Sequence, residues 1–229
     1  MANGLIAAVV VTYNRRSLLA RCLSAIGSQS RKVDIYVIVD NASTDGTREF
    51  LESHGWCGRQ DVEVLFAQQN LGGAGGFSVG LQLALRRGAD WIWMMDDDAK
   101  PHEDALAELM VVATEPSDIY GSLAVNGADT SWLMTITETS AFTTGVADQV
   151  PARAQVQMLP FLGFMIHREL VDRIGLPDPG FFIAADDVEY CVRAKKSGAR
   201  IIVAGRSRIE HPKSRPYTIR LPGITLTGL

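Results

Sequence analysis

Trp91 to Asp98 reads W-I-W-M-M-D-D-D: five apolar residues followed without a break by Asp96, Asp97 and Asp98. An apolar run of that length between polar boundaries has the pattern of a strand buried on both faces of a sheet. The three acids then emerge together at its C-terminal end, where open α/β sheets hold their ligands. Adjacent carboxylates repel one another, and in a partly desolvated crevice their charged forms are costly. A hard divalent cation relieves that cost. Asp96 and Asp98 are two residues apart, so an extended segment would direct both side chains to one ion carrying a diphosphate. The competing reading is a solvated acidic turn whose last acid caps a helix starting near Pro101.

Upstream of this stretch, strand and helix patterns alternate. Leu5 to Thr12 is a β-branched apolar run that ends at Y-N-R-R, followed by a helix with Ser17 as its cap and Leu18, Leu19, Cys22, Leu23 and Ile26 at helical spacing. Val33 to Val39 is a second strand, ending in D-N-A-S-T-D-G-T, and the helix after it takes Phe50 and Leu51 to the core and stops near His54-Gly55. Val62 to Ala67 is a third, and Q-N-L-G-G-A-G-G-F leads from it into another helix. A helix from about His102 to Ala113 follows the acids. Four such alternations imply right-handed crossovers and a mostly parallel sheet covered on both faces, an α/β fold. Glu115 to Pro160 is rich in Ser, Thr, Ala and Gly and reads as antiparallel strands or a long loop. Beyond it, Phe161 to Ile166 and Arg200 to Ala204 read as strands, and Arg168 to Ile174 and Asp186 to Ser197 as helices. Lys213 to Leu229 reads as a tail.

The 229 residues suit one large domain. A formal net charge of -4 leaves no broad basic footprint for nucleic acid. Nine Lys and Arg between Arg193 and Arg220, against the single acid Glu210, form a cationic C-terminal region suited to phosphate groups or to peripheral contact with an anionic membrane. Cys22, Cys57 and Cys191 have no paired spacing, consistent with reduced thiols and a cytoplasmic setting. The apolar run from Leu5 to Val11 is too short to span a membrane and lacks the features of a signal peptide.

In a parallel sheet the three strand ends upstream of the acids open on one side. Thr12, Tyr13 and Asn14 offer hydroxyls, an amide and an aromatic face. Asp40, Asn41, Ser43 and Asp45 cluster before Gly46; Asp40 is placed to bind a ribose hydroxyl or base N–H, and a turn with a helix cap is the plain alternative for this stretch. Gly72, Gly73, Gly75 and Gly76 allow close backbone approach, with N–H groups suited to an anion. Neither a dinucleotide fingerprint nor a phosphate-loop lysine fits N-L-G-G-A-G-G-F. In F-F-I-A-A-D-D-V-E-Y, Asp186 and Asp187 open a helix, where the macrodipole alone favours acids; one of the two is also placed to accept a proton from a substrate hydroxyl. His211, in I-E-H-P, is a metal ligand or a loop histidine.

The ordered set V-V-V-T-Y-N-R, V-D-N-A-S-T-D-G-T, N-L-G-G-A-G-G-F, W-M-M-D-D-D, D-D-V-E-Y and a late His resembles the inverting family-two glycosyltransferases with the GT-A fold. Within that family it looks like the branch of galactofuranosyltransferases and rhamnosyltransferases. The resemblance covers about Leu5 to Pro212. It implies a GT-A domain over residues 1–212, with a nucleotide-binding half (1–98) and an acceptor-binding half (99–212), and a smaller antiparallel part of the sheet. It further implies that Thr12, Asn14, Asp40 and Asn41 hold the nucleoside, with Asp45, Asn70 and Asp97 close to the donor, and that Gly72, Gly73 and Phe77 line the donor pocket. Asp96 and Asp98 would bind Mn²⁺ or Mg²⁺ with the donor diphosphate, and His211 would be a further ligand. Asp187, with Asp186 beside it, would deprotonate a glycan or lipid-linked acceptor in cell-surface polysaccharide synthesis. Two rivals remain: a catalytically inactive, sugar-nucleotide-binding partner subunit, and a sugar nucleotidyltransferase, which would be expected to carry a Gly- and Lys-rich loop after the first strand.

Overall fold

The first strand, β1 (Ile6–Thr12), is buried along its whole length, and its alternate side chains belong to opposite layers. Ala7, Val9 and Val11 join one hydrophobic cluster, while Ile6, Ala8 and Val10 join another. This division is the expected result of a period of two in a strand covered on both faces. In the computed structural model, which describes residues 4–137, 141–212, 217–221 and 224–228, α1 (Arg16–Gly27), β2 (Ile35–Asp40), α2 (Thr47–Ser53), β3 (Val62–Phe66), α3 (Gly72–Arg86) and β4 (Trp91–Asp96) follow in order. These four strands are parallel, in the order β3-β2-β1-β4. Trp91, Trp93 and Met95 face α1 and the later α4 (Ala105–Val112), while Ile92 and Met94 face α3.

The acidic triplet does not cap α4. Lys100–Pro101 forms a short strand, β5, and the helix begins only at Ala105. Ser17 is no cap either: α1 starts one residue earlier without a side-chain cap of its own. The Arg16 N–H is met instead from a neighbouring loop, by Asp45 Oδ2 at 2.8 Å.

The irregular middle resolves into β6 (Ile119–Asn126), β7 (Asp129–Ile136), β8 (Phe142–Val146) and the short β9 (Ala154–Gln155). β6 is buried along all but its last residue, hidden in the sequence because Gly121 and Ser122 break its apolar run. Gly121 leaves room there for the Leu159 side chain, whose methyl groups pack where a Cβ would stand. β6, β7 and β8 form an antiparallel meander. β10 (Phe164–His167) starts three residues later than its sequence suggests and runs antiparallel between β4 and β6. After α5 (Arg168–Ile174) and α6 (Asp186–Lys196), β11 (Ile201–Glu210) runs parallel to β6. It is six residues longer than its apolar core because a register shift between Ala204 and Arg208 absorbs Gly205, Arg206 and Ser207. The sheet is thus mixed but mostly parallel, with helices on both faces. The stretch read as a tail is not structureless: β12 (Tyr217–Leu221) and β13 (Ile224–Gly228) pair with each other antiparallel, and the rest of 213–229 lies outside the described residues.

Several of the C-terminal cations are engaged within the fold. Arg193 pairs with Glu189, Arg200 with Asp118 and Arg208 with Asp148. All three cysteines are free thiols. Among the described residues no helix is long and apolar enough to cross a membrane.

Helix α3 lies close on β1 because Gly76 and Gly80 face it: a Cβ at Gly80 would overlap Val9 Cγ1. Gly80→Ala should therefore cost about 1–3 kcal/mol by overpacking. Gly73→Ala, with open space around its Cβ, should be neutral or stabilising by up to about 1 kcal/mol. Urea denaturation of the two variants against the parent measures both.

Candidate active site

Strand register sets the site. Thr12 lies abreast of Asp40, Asp40 abreast of Phe66, and Val11 abreast of Asp96, so the loops after four parallel strands open on one side. Beyond Asp96 the chain leaves the strand and turns through Asp97 and Asp98. The alternation expected of an extended segment therefore does not apply, and the three acids meet different partners. Asp97 is buried and accepts the Thr12 hydroxyl at 2.7 Å. Arg15 Nη1 lies 3.4 Å from Asp97 Oδ1 and 3.1 Å from Asp98 Oδ2. Asp98 Oδ1 points instead towards His211, 3.8 Å from Nε2.

The electrostatics follow from this crowding. Asp96 reaches solvent at the cleft floor but is densely surrounded by protein, and burial with the Asp98 and Asp97 charges pushes its pKa well up. Burial also raises Asp97, against the opposing effect of the Thr12 hydrogen bond and the Arg15 charge. Arg15, which the sequence reading passed over, is thus the nearest counter-charge to the triplet. Its signal was present: a cation three residues past a strand end, in the same ligand-facing row as three acids.

Among the described residues no three Asp, Glu, His or Cys side chains converge as a closed metal cage. Asp98 Oδ1 and His211 Nδ1 are nevertheless buried without a hydrogen-bond partner. His211 is held in place from its backbone, whose N–H donates to Val125 O and whose carbonyl accepts Ser131 Oγ at 2.9 Å. Trp132 packs edge-on against its ring at 5.9 Å. An oxygen and an imidazole so placed fit one side of a hard cation whose other ligands are substrate phosphate oxygens and water. The donor set therefore suits Mg²⁺ or Mn²⁺ bound together with a diphosphate.

A cleft of about 360 Å³ opens beside the acids. Thr12, Asn41, Asp96 and Asp97 line it from the sheet, and Asn70, Gly72, Gly73 and Phe77 from the start of α3. Asn14, Asp40 and Asp45 stand behind that lining and tie loops together. Asn14, in the left-handed region at φ 54, accepts Thr44 N–H at 2.7 Å, and Asp40 accepts Ser43 N–H at 3.0 Å. Asp45 serves two helix starts, accepting Arg16 N–H and the Thr47 hydroxyl. Burial opposes its ionisation, but these hydrogen bonds hold its pKa below the ordinary value. Asn70 Oδ1 accepts Gly72 N–H at 2.8 Å, and Asn41 Nδ2 donates to Gly72 O at 2.9 Å. Phe77 packs on Phe161, ring centroids 4.9 Å apart, an aromatic wall the sequence reading did not connect.

The opposite wall is the segment before α6. Phe182, Ala184 and Ala185 all take positive φ, at 56°, 71° and 67°, and Phe182 O accepts Ala74 N–H at 3.1 Å. Gly72, at φ +70, sits directly against that carbonyl, where a Cβ would overlap it. This strap delivers Asp186 and Asp187 to the cleft. Both carboxyls are raised by burial; main-chain N–H groups of the first turn of α6 partly offset the rise, including Val188 N–H at 2.7 Å from Asp187 Oδ1. The same two acids, with Pro160 and Ala184, also border a second groove of about 620 Å³, walled by Trp132, Met134 and Met158. Asp96 and Asp97 after Met95 and the pair after Ala185, distant in sequence, thus face one cleft, while Asp98 turns to the neighbouring pocket that holds His211; Asp186 and Asp187 stand at the seam of the cleft with the second groove.

A strand-end row of polar groups, a glycine-started helix and converging acids at the C-terminal ends of this sheet form a ligand-binding α/β architecture. Residues 3–221 match the family described as glycosyltransferase like family 2, and the chain belongs to that family. It is similar to galactofuranosyltransferase GlfT1 of Mycolicibacterium smegmatis, 33% identical over 209 residues, and to GlfT1 of Mycobacterium tuberculosis, 31% identical over 209 residues. The alignments cover 84% and 83% of this chain but only 66% and 64% of those proteins, so the chain spans a little under two thirds of the length of the relatives it matches. It is also 23% identical to the dTDP-rhamnosyl transferase RfbF of Shigella flexneri, over 91% of this chain and 69% of that protein. Among solved structures, GalNAc-T7 with UDP, GalNAc and Mn²⁺ superposes with a TM-score of 0.75 at 17% identity, covering 91% of this chain and 44% of the other. The mannosyltransferase PcManGT of Pyrobaculum calidifontis, in complex with GDP-Man and Mn²⁺, gives 0.66 at 20% identity, covering 94% and 59%. The fold is GT-A.

Replacing Thr12 by Val should leave the buried Asp97 carboxylate short of a donor and cost about 1–3 kcal/mol. Thr12→Ser keeps the hydroxyl and should stay close to the parent. Equal denaturation midpoints for the Val variant and the parent would remove Thr12 from the scaffold of the site.

Proposed function

We propose that this chain is the catalytic domain of a metal-dependent, inverting glycosyltransferase. Its donor is a nucleotide-diphosphate sugar of the UDP-galactofuranose or dTDP-rhamnose type, and its acceptor is a hydroxyl of a glycan or glycolipid. The observation that carries this reading is the position of Asp186 and Asp187 between two openings. One holds the glycine-started helix and the acids after β4, suited to a sugar nucleotide; the other is a free groove by which an acceptor reaches the same carboxylates.

In this mechanism Asn41, Gly72 and Gly73 form the floor under the donor, with the Phe77 and Phe161 wall excluding water. Asp98 and His211 would hold the cation, with Asp96 approaching from the cleft. When bound, the metal supplies neutralisation of charge on the diphosphate. Asp187 accepts the acceptor's hydroxyl proton as that oxygen bonds to the anomeric carbon. The bond from that carbon to the diphosphate oxygen breaks on the opposite face, so configuration inverts and the nucleoside diphosphate departs with the electron pair. Burial above the ordinary carboxylate range keeps Asp187 basic enough for this task. Peripheral membrane contact through the basic C-terminal region belongs to the same proposal.

Incubation with UDP-galactofuranose or dTDP-rhamnose, Mn²⁺ and a glycolipid acceptor should yield an inverted glycoside. Asp187→Asn should retain donor binding while transfer falls by at least about 100-fold, the scale of a lost general base; near-normal turnover would remove Asp187 from that role. Because the group must be ionised and its pKa is raised, kcat/KM should climb with pH along an acid limb lying above the usual carboxylate range, and the Asn variant should lose that limb. Asp98→Ala should weaken metal-dependent nucleotide binding in titration calorimetry.

A further inference from the structure

We propose that Arg15 is the resident counterion of the metal site and the gate that admits the cation; this rests on the metal-dependent reading above. Its guanidinium sits where a divalent ion would otherwise relieve the acids, 3.1 Å from Asp98 Oδ2 and 3.4 Å from Asp97 Oδ1. Its position is also a partition. Asp96 and Asp97 line the donor cleft, whereas Asp98 and His211 line a separate pocket of about 550 Å³. Among the described residues Arg15 alone lines both. With the guanidinium in place, Asp96 and Asp98 face different compartments; once it swings away, the two compartments join and both acids face one space.

The energetics permit the swing. The Arg15 side chain is 53% exposed, so water takes over the solvation of its guanidinium when it leaves, and the buried Asp97 keeps the Thr12 hydroxyl as a donor. A doubly charged ion reaching Asp98 Oδ1, a buried oxygen with no hydrogen bond to give up, with His211 Nε2 3.8 Å away, competes well against a single, half-exposed guanidinium. Arg15 then needs another anion. A donor diphosphate entering the cleft it already lines supplies one, in the bidentate geometry that guanidinium favours. Donor and metal thus assist each other: each removes a cost that the other would otherwise meet, and linkage makes the effect reciprocal. Arg15 acts here as a positioning residue that orders the binding of cation and nucleotide.

The test is Mn²⁺ affinity of the purified protein with and without UDP, read from loss of the free-Mn²⁺ electron paramagnetic resonance signal. In the parent, UDP should strengthen Mn²⁺ binding. Arg15→Met, similar in volume but uncharged, should bind Mn²⁺ without UDP about threefold to tenfold more tightly than the parent and should lose most of the UDP enhancement. Arg15→Lys, a compact charge unable to bridge two carboxylates as a fork, should fall between them. A variant that is merely damaged would bind less tightly, so a gain cannot come from misfolding. Mn²⁺ affinity in Arg15→Met equal to or weaker than the parent, with circular dichroism unchanged, overturns the gate while leaving the metal reading in place. Mn²⁺ binding that survives Asp98→Asn unchanged, or that no variant shows with or without UDP, overturns the metal reading and the gate together.

Discussion

A carboxylate at the end of a central strand has lost most of its water, and the protein must return that solvation through its own donors. Asp97 is the point at which this constraint acts. The Thr12 hydroxyl from the end of β1 and the Arg15 guanidinium from the start of α1 both turn to it, so one buried charge fastens the first strand, the first helix and the strand of the acids to each other. Asp96 projects into the donor cleft and Asp98, which shares Arg15 with Asp97, into the neighbouring pocket. The middle acid serves the scaffold so that its neighbours can serve a ligand.

The same economy recurs one loop further out. Asp45 meets helix starts on both α1 and α2, and Asn14 holds the turn that presents Asn41 by bonding Thr44. Polar residues that look like a nucleoside-binding set in the sequence thus divide into two ranks. Asn41, Asn70 and the glycines touch the cleft, and Asn14, Asp40 and Asp45 keep those in place. Residues of either rank look alike in sequence because both must be small, polar and near a turn.

The parallel half was legible because burial on two faces writes uninterrupted apolar runs, as in V-V-V-T and W-I-W-M-M, and because acids stand abruptly at their ends. The convergence of Asp96 with Asp186 and Asp187 followed from the parallel geometry and the family resemblance together. Three kinds of feature stayed hidden. β6 carries Gly121 and Ser122 in a buried strand, since Leu159 takes the space a side chain would need. β11 continues through polar residues after a change of register. The pairing of Arg15 with Asp97 and Asp98 depends on a turn at residues 97 and 98 that breaks the simple alternation. In each case a contact between residues far apart in the chain overrides the local pattern.

The strap from Phe182 to Ala185 joins two tasks that a modular enzyme would keep apart. Its carbonyl at Phe182 rests on Gly72 and Ala74 at the donor floor, while its far end opens the helix bearing Asp186 and Asp187. Non-glycine residues held at positive φ cost about 1–3 kcal/mol each, so the conformation of Phe182, Ala184 and Ala185 is held by its surroundings and is not a slack tether. Any remodelling of the floor to suit a different sugar would be transmitted along it to the carboxylates at the seam. Donor choice and proton transfer would then be expected to drift together as sequences diverge, and engineering one without the other would require re-anchoring the strap.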